Sequence, residues 1–295
     1  MRIALLGLGL IGGSVVRALR DAARGDGSAS WSIAAWTPTG RGPARALADG
    51  VIDLAAVSPE AAIDGADLVV LAGPAPDCLE QLDELAGSWR GALTADAVIT
   101  DVASTKEAIV LRATALGLRF VGGHPMAGRE TSGYAASSPD LFVGRPWVVV
   151  PTADAAAVER VERLVVACGA RPVRLAAAAH DRAVAGISHL PLVVAAALVE
   201  AVAGSRADGP DADWQTAAAL ASTGWRDTTR LARGDATMGA GIITTNAPAI
   251  AARVRDLVAS LEAWLEELER PGGPDAGDVA ERLRTARERL ESMTP

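Results

Sequence analysis

Short apolar runs separated by amphipathic stretches organise the first part of the chain. RIALL (2–6), WSIAAW (31–36), DLVVLAG (67–73), AVITDV (97–102), RFVGG (119–123) and PWVVV (146–150) read as buried strands. Helical patterns fall between them, and strands alternating with helices predict a parallel, doubly wound sheet. ADAAAVERVERLVVACG and RPVRL read as one last helix and strand. After residue 176 the pattern changes to the alanine-rich AAAAHDRAVAGISHLPLVVAAALVEAVAG, and no convincing strand follows. The predicted fold is an α/β Rossmann-like nucleotide-binding domain over 1–176, then an all-α domain over 177–295. Alanine-rich helices pack closely, so the second domain is the expected place for substrate contacts and for a homodimer.

Composition narrows the function. Half of the 295 residues are apolar, which excludes general disorder. The net charge of −8 comes with no basic patch, so nucleic acid is not an expected partner. Cys78 and Cys168 are far apart and suit a reducing cytoplasm. The apolar stretches are broken by Gly, Pro or charge, which predicts no membrane span. Met1 runs straight into the first strand without a basic leader, so a cytoplasmic location is expected.

The first chemical signal is GLGLIG, with Gly7, Leu8, Gly9, Leu10, Ile11 and Gly12 between a strand and a helix. Gly7 suits a tight turn, Gly9 a close approach of pyrophosphate, and Gly12 helix–strand packing. The helix N-terminus offers donors to the phosphates. NAD sites usually carry an acidic residue at the end of the second strand. Here that position is Thr37, and Arg41 follows. Loss of the carboxylate removes repulsion of a 2′-phosphate and the arginine offers a partner, which favours NADP with NAD as the alternative. Gly73 and Pro74 lie at another strand end on the same predicted edge. Ser104 starts the next helix, and its spacing to Glu107 fits a capping box as well as a ligand contact.

His124 is one of three histidines, set between Gly123 and Pro125 in a loop after a strand at this edge. A neutral imidazole there suits proton transfer near neutral pH. Glu130 either orients a polar group or is solvated. His189 sits in ISHLP, where Pro191 starts or kinks a helix. His180 lies nine residues earlier, on the opposite face of a continuous helix, and with Asp181 reads as structural. The three histidines show no metal-site spacing. Arg226, Arg230 and Arg233 share a face if helical and could bind an anion or simply be solvated.

Together, GLGLIGGS, TDVASTK, GGHPMAGRETSG, DLFVGRPW, HDRAVAGISHLP and GWRDTTRLA resemble the prephenate/arogenate dehydrogenase family of tyrosine biosynthesis, in order over residues 2 to about 250. The resemblance implies oxidative decarboxylation of a cyclohexadienyl substrate with hydride transfer to NAD(P). It implies that His124 takes the hydrogen bond or proton of the C4 hydroxyl. Ser104 would contact that hydroxyl and the nicotinamide side, Arg230 a substrate carboxylate, and His189 and Glu130 other parts of the pocket. Two departures bear on the substrate. The family often reads SHLPH where this chain has Leu192, and a tryptophan often follows the methionine where Met238 is followed by Gly239. Prephenate, arogenate and an amino-substituted analogue stay open, with arogenate preferred.

A β-hydroxyacid dehydrogenase would need a lysine on the helical domain, whereas the sole lysine is Lys106. An idle NADP-binding sensor would have no need of His124, Ser104 and Arg230 together.

Overall fold

In the computed structural model, residues 1–26, 31–129, 131–204, 209 and 211–292 are described. β1 (Arg2–Leu6), β2 (Ser32–Trp36), β3 (Leu54–Ala55), β4 (Leu68–Leu71), β5 (Val98–Asp101) and β6 (Phe120–Val121) form one six-stranded sheet. Its order is β3-β2-β1-β4-β5-β6, with every neighbouring pair parallel. Side chains alternate across it. Ile3, Leu5, Leu68 and Val70 face one core, and Ala4, Leu6, Val69 and Leu71 the other. Both faces are therefore buried, as the unbroken apolar runs require. The order reverses between β1 and β4, and ligands of such sheets bind at that crevice.

α1 (Leu10–Asp26), α2 (Arg41–Ala48), α3 (Pro59–Ile63), α4 (Ala75–Ala86), α5 (Glu107–Ala115) and α6 (Ala155–Ala167) flank the strands.

The later strands correct one expectation. β7 (Gly123–Pro125), β8 (Pro146–Val149) and β9 (Arg171–Arg174) do not extend the parallel sheet. They form a second, three-stranded sheet in which β7 and β8 are antiparallel and β8 and β9 parallel. His124 thus lies within β7, opposite Val148, rather than in a loop. The break at Gly122 lets the chain leave β6 and cross the end of β5. There the Gly123 amide donates to Asp101 Oδ1 at 3.0 Å. A β-carbon on Gly123 would fall 2.6 Å from the Asp101 carbonyl oxygen, so the crossing needs glycine.

The rest is helical: α7 (Ala177–Val184), a π-helical turn (Ala185–His189), α8 (Leu190–Ala203), α9 (Trp214–Leu220), α10 (Thr223–Thr228), a 3-10 turn (Arg230–Arg233), α11 (Ala236–Thr245), α12 (Ala247–Leu268) and α13 (Ala276–Ser292). The change to helices falls near residue 176, but compactness divides the chain elsewhere, into Met1–Ile250 and Ala251–Pro295. Within the second unit, Arg282 donates to the carbonyls of Ser260 and Ala263 and stacks 4.0 Å over the Trp264 ring.

The expectation that no apolar stretch reaches span length is also corrected. The continuous helix Ala177–Ala203 has 27 residues, with a mean hydropathy of 1.8 in its most apolar window. Gly186 and Pro191 do not interrupt it, because the π turn absorbs the irregularity and Pro191 falls in the first turn of α8. The same helix carries buried His180, Asp181 and His189, all hydrogen-bonded within the protein.

Gly123→Ala should cost about 1–3 kcal/mol, because the methyl has no room without moving β7 or β5. Chemical denaturation checks this, and an unchanged midpoint would show that the crossing is slack.

Candidate active site

Every strand of the large sheet ends on one edge, and the candidate residues collect there. Gly7 takes φ of 113° and lies so close to β4's end that a β-carbon would meet the Ala72 carbonyl at 2.6 Å. Gly12 packs against the Gly7 carbonyl, where a β-carbon would fall at 2.5 Å. Gly9 differs: nothing lies within 4 Å of its missing side chain. Leu10 and Ile11 are partly buried against the core and anchor the start of α1, leaving its first amides open to a phosphate. Gly73 and Pro74 follow β4, with Pro74 capping α4. Beside Leu8 and Gly9 is a cleft of about 420 Å³, lined also by Thr37, Thr39, Arg41 and Arg45. Thr37 holds the turn, its carbonyl and hydroxyl both accepting from the Gly40 amide. Arg45 is paired with Asp49 at 3.1 Å, whereas Arg41 has no ion pair among the described residues. These features fit a dinucleotide.

Next along the edge, the loop after β5 overturns the capping-box expectation. α5 begins at Glu107 with Lys106 at the cap position, and Ser104 is not its cap. The cap comes from α7: Asp181 Oδ1 accepts from the Lys106 amide at 2.8 Å and Oδ2 from the Glu107 amide at 2.9 Å. Ser104 is half-buried, and its hydroxyl has no hydrogen-bond partner among the described residues, so it remains available to a ligand. Beneath it, Lys106 is fully buried and paired with the equally buried Asp101. Asp101 also accepts from the amides of Ala103 and Gly123, each at 3.0 Å. Burial pushes its carboxyl up, opposed by the Lys106 ammonium and these amides.

His124 projects from β7 into this cluster. Its Nδ1 lies 2.8 Å from His180 Nε2, and His180 Nδ1 lies 2.7 Å from Asp181 Oδ1. His180 is thus paired with Asp181, as the structural reading of the two expected, but it also contacts His124. The His124 and His180 rings meet edge to face at 5.0 Å. Burial holds the His124 pKa well below the usual histidine value, and Lys106, His180 and His189 lower it further. Burial also works to raise the Asp181 carboxyl, but hydrogen bonds from His180, Glu107 and Lys106 outweigh it and hold the carboxyl below its ordinary value.

His189 lies in the π turn, 1% exposed, with Nδ1 3.1 Å from Asn246 Nδ2. Its Nε2 is buried without a hydrogen-bond partner among the described residues. Asn246 Nδ2 also donates to the Asp181 carbonyl at 2.9 Å, which identifies it as the amide nitrogen. His189 Nδ1 is then an acceptor and Nε2 carries the hydrogen. Burial first, with His180 adding to it and Asp181 opposing, pushes its pKa down to about 4. His189 is a neutral donor awaiting an acceptor.

Arg230 is exposed in the 3-10 turn, which packs on α8. Arg226 belongs to the separate α10, so the three arginines do not form one continuous helical face. Glu130 lies outside the described residues. Sequence reasoning left Asp181 as a structural partner of His180 and missed Asn246 and the Asp101–Lys106 pair. The signals available were an aspartate next to a histidine and a lone lysine in a chain of arginines.

Fold and edge define a class, the dinucleotide-binding α/β protein joined to a helical region. Comparison with known proteins is more specific. Residues 40–174 match the model for the prephenate dehydrogenase nucleotide-binding domain, and residues 176–284 that for the prephenate dehydrogenase dimerization domain. Prephenate dehydrogenase of Bacillus subtilis is 33% identical over 273 residues, 91% of this chain and 68% of the relative. Arogenate dehydrogenase of Synechocystis is 30% identical with a TM-score of 0.76, over 98% of this chain and 100% of the other. Prephenate dehydrogenase of A. aeolicus, solved with hydroxyphenyl propionate and NAD+, has a TM-score of 0.85 at 25% identity, over 100% and 98% of the two chains. The chain belongs to the prephenate dehydrogenase family.

A base at His124 is active only when unprotonated, so kcat/KM should fall as pH drops through its pKa. Because burial lowers that value, activity should persist below about pH 6, where an ordinary histidine is already mostly protonated. A pH–rate profile with its acid limb at or above the ordinary histidine value would contradict this.

Proposed function

We propose that this NAD(P)-dependent dehydrogenase oxidatively decarboxylates arogenate, with NADP as the preferred cofactor and His124 as the base. The observation that carries the reading is a half-buried His124 held neutral by its surroundings and a Ser104 hydroxyl without a hydrogen-bond partner among the described residues, both following strands that end on the edge bearing the glycine loop. When bound, the nicotinamide accepts the hydride leaving C4 of the ring. His124 takes the proton of the C4 hydroxyl as that carbon becomes a carbonyl. Loss of the ring carboxylate as carbon dioxide returns its electron pair to the ring, and the phenolate oxygen recovers the proton from His124. Ser104 donates to the same oxygen, and His189 Nε2–H donates to an acceptor elsewhere on the substrate. Arg230 is assigned a substrate carboxylate, and Glu130, outside the described residues, keeps only the substrate-binding role that the family resemblance implies. Aromatisation supplies much of the driving force, so the residues chiefly orient and polarise.

Arogenate rests on Leu192 and Gly239. A β-carbon on Gly239 would lie 3.6 Å from Leu192 Cδ2, so the two departures from the family pattern are neighbours. Together they replace a polar and a large aromatic side chain by one apolar contact. NADP rests on Thr37 and Arg41 in the cleft at the start of α2, where a carboxylate would repel a 2′-phosphate. Prephenate and an amino-substituted analogue are the alternatives. The working location proposed is the cytoplasm, and the working form a homodimer. Of the most apolar window in Ala177–Ala203, only 22% is buried within one chain, and a second copy would cover the rest.

The test is cofactor reduction in a grid of prephenate and arogenate against NAD and NADP. Turnover is expected with arogenate and NADP. Arg41→Ala should raise the KM for NADP by about 10-fold or more and leave NAD unaffected, as loss of a charged hydrogen bond implies. His124→Asn should keep cofactor affinity and lower kcat by on the order of 10²–10⁴. Near-normal turnover would remove His124 from the mechanism, and silence across the grid with NADP still bound would favour the analogue or an idle sensor. Sedimentation should give a dimer at micromolar concentration, and a monomer there would refute the assembly.

A further inference from the structure

We propose that His180 and Asp181 are positioning residues that fix the tautomer of His124, leaving its Nε2 as the acceptor that faces the substrate. The inference rests on the reading of His124 as the base and adds what makes it one.

The hydrogen-bond chain starts at Asp181. Its carboxylate accepts two backbone amides, from Lys106 and Glu107, and a third donor is His180 Nδ1 at 2.7 Å. An ionised carboxylate only accepts, so the hydrogen of that contact belongs to His180 Nδ1. In the neutral ring, His180 Nε2 then carries the lone pair. It faces His124 Nδ1 at 2.8 Å, so His124 Nδ1 must donate. The free lone pair of His124 is left on Nε2. When His124 takes up a proton, its Nδ1–H still donates to His180, so the contact survives the step with the Asp181 charge behind it. The other charged or titratable groups facing His124 are Lys106 with its partner Asp101, at the β5–α5 loop, and His189 in the π turn. Lys106 is paired with Asp101.

Asp181 also fixes the opposite tautomer nearby. Its backbone carbonyl holds Asn246 Nδ2, which donates to His189 Nδ1 and leaves Nε2–H on that ring. One residue thus presents an acceptor ring through its side chain and a donor ring through its backbone. A Ser-His-Asp triad uses its acid in the same way, and there the wrong tautomer costs about 10⁴ in kcat.

The test uses the full-length protein with NADP bound and 15N-labelled histidine. With three histidines in the chain, a long-range proton–nitrogen correlation spectrum resolves each ring. Near about pH 7.5, where neutral imidazoles prevail, His124 and His180 should appear as Nδ1–H and His189 as Nε2–H. His124 protonated on Nε2 in the wild-type protein overturns the proposal without any variant. In His180→Phe, His124 should shift to Nε2–H and kcat should fall on the order of 10²–10⁴ with the KM for NADP unchanged. Retention of Nδ1–H and of kcat in that variant also overturns it. The two readings fail separately. His124→Asn with normal turnover refutes the base whatever the spectrum shows. An inactive His124→Asn together with Nε2–H on the wild-type ring keeps the base and refutes its positioning.

Discussion

A carboxylate taken out of water must fill its lone pairs with donors, and Asp181 finds them on two elements 75 residues apart in sequence. It caps α5, holds His180 and, through its carbonyl, holds Asn246. Each of these contacts fixes a different part of the site. Because Asp181 caps α5, Ser104 does not have to, and its hydroxyl stays available at the sheet edge. Because His180 is held, the inner nitrogen of His124 has a partner. Moving α7 would uncap a helix, strand a buried ring and loosen His189 together. The geometry of the candidate base is therefore inseparable from the docking of α7 on the nucleotide-binding sheet.

A second buried charge pair works alongside the first. Lys106 and Asp101 are completely enclosed, and such pairs add little net stability once desolvation is counted. Their value here is positional. Asp101 ties the end of β5 to the start of β7 through the Gly123 amide, so His124 is placed by the same carboxylate that neutralises the lysine. The ammonium also opposes protonation of His124. The sole lysine of the chain is thus part of the site's electrostatics.

The nucleotide half was largely legible in the sequence, since unbroken apolar runs with helices between them have few other solutions. Gly7, Gly12 and Gly73 lie where the strand–loop–helix pattern put them. What failed did so for identifiable reasons. A run such as PWVVV states burial but not direction, so the small mixed sheet was invisible. Ser-x-x-Glu at 104–107 fits a capping box locally, but a carboxylate from a distant helix took the amides. His180 and His189 were placed on opposite faces by counting 100° per residue, which a π turn between them invalidates. Contacts across 56 or 75 residues leave no periodic trace in a single sequence.

The two histidines at the pocket show why neutrality matters. A charged imidazolium at His124 would attract an acidic substrate yet could not accept its proton. A charged His189 would bind a carboxylate more tightly in ground state and transition state alike, which lowers KM without raising kcat. Burial keeps both rings neutral, and opposite hydrogen-bond partners make one an acceptor and the other a donor. In the proposed mechanism, attraction of substrate charge falls instead to an exposed arginine such as Arg230. Separating these tasks would let one pocket bind an anion strongly and still hold a base, because the charge that recruits the substrate would not be the charge that changes during the reaction.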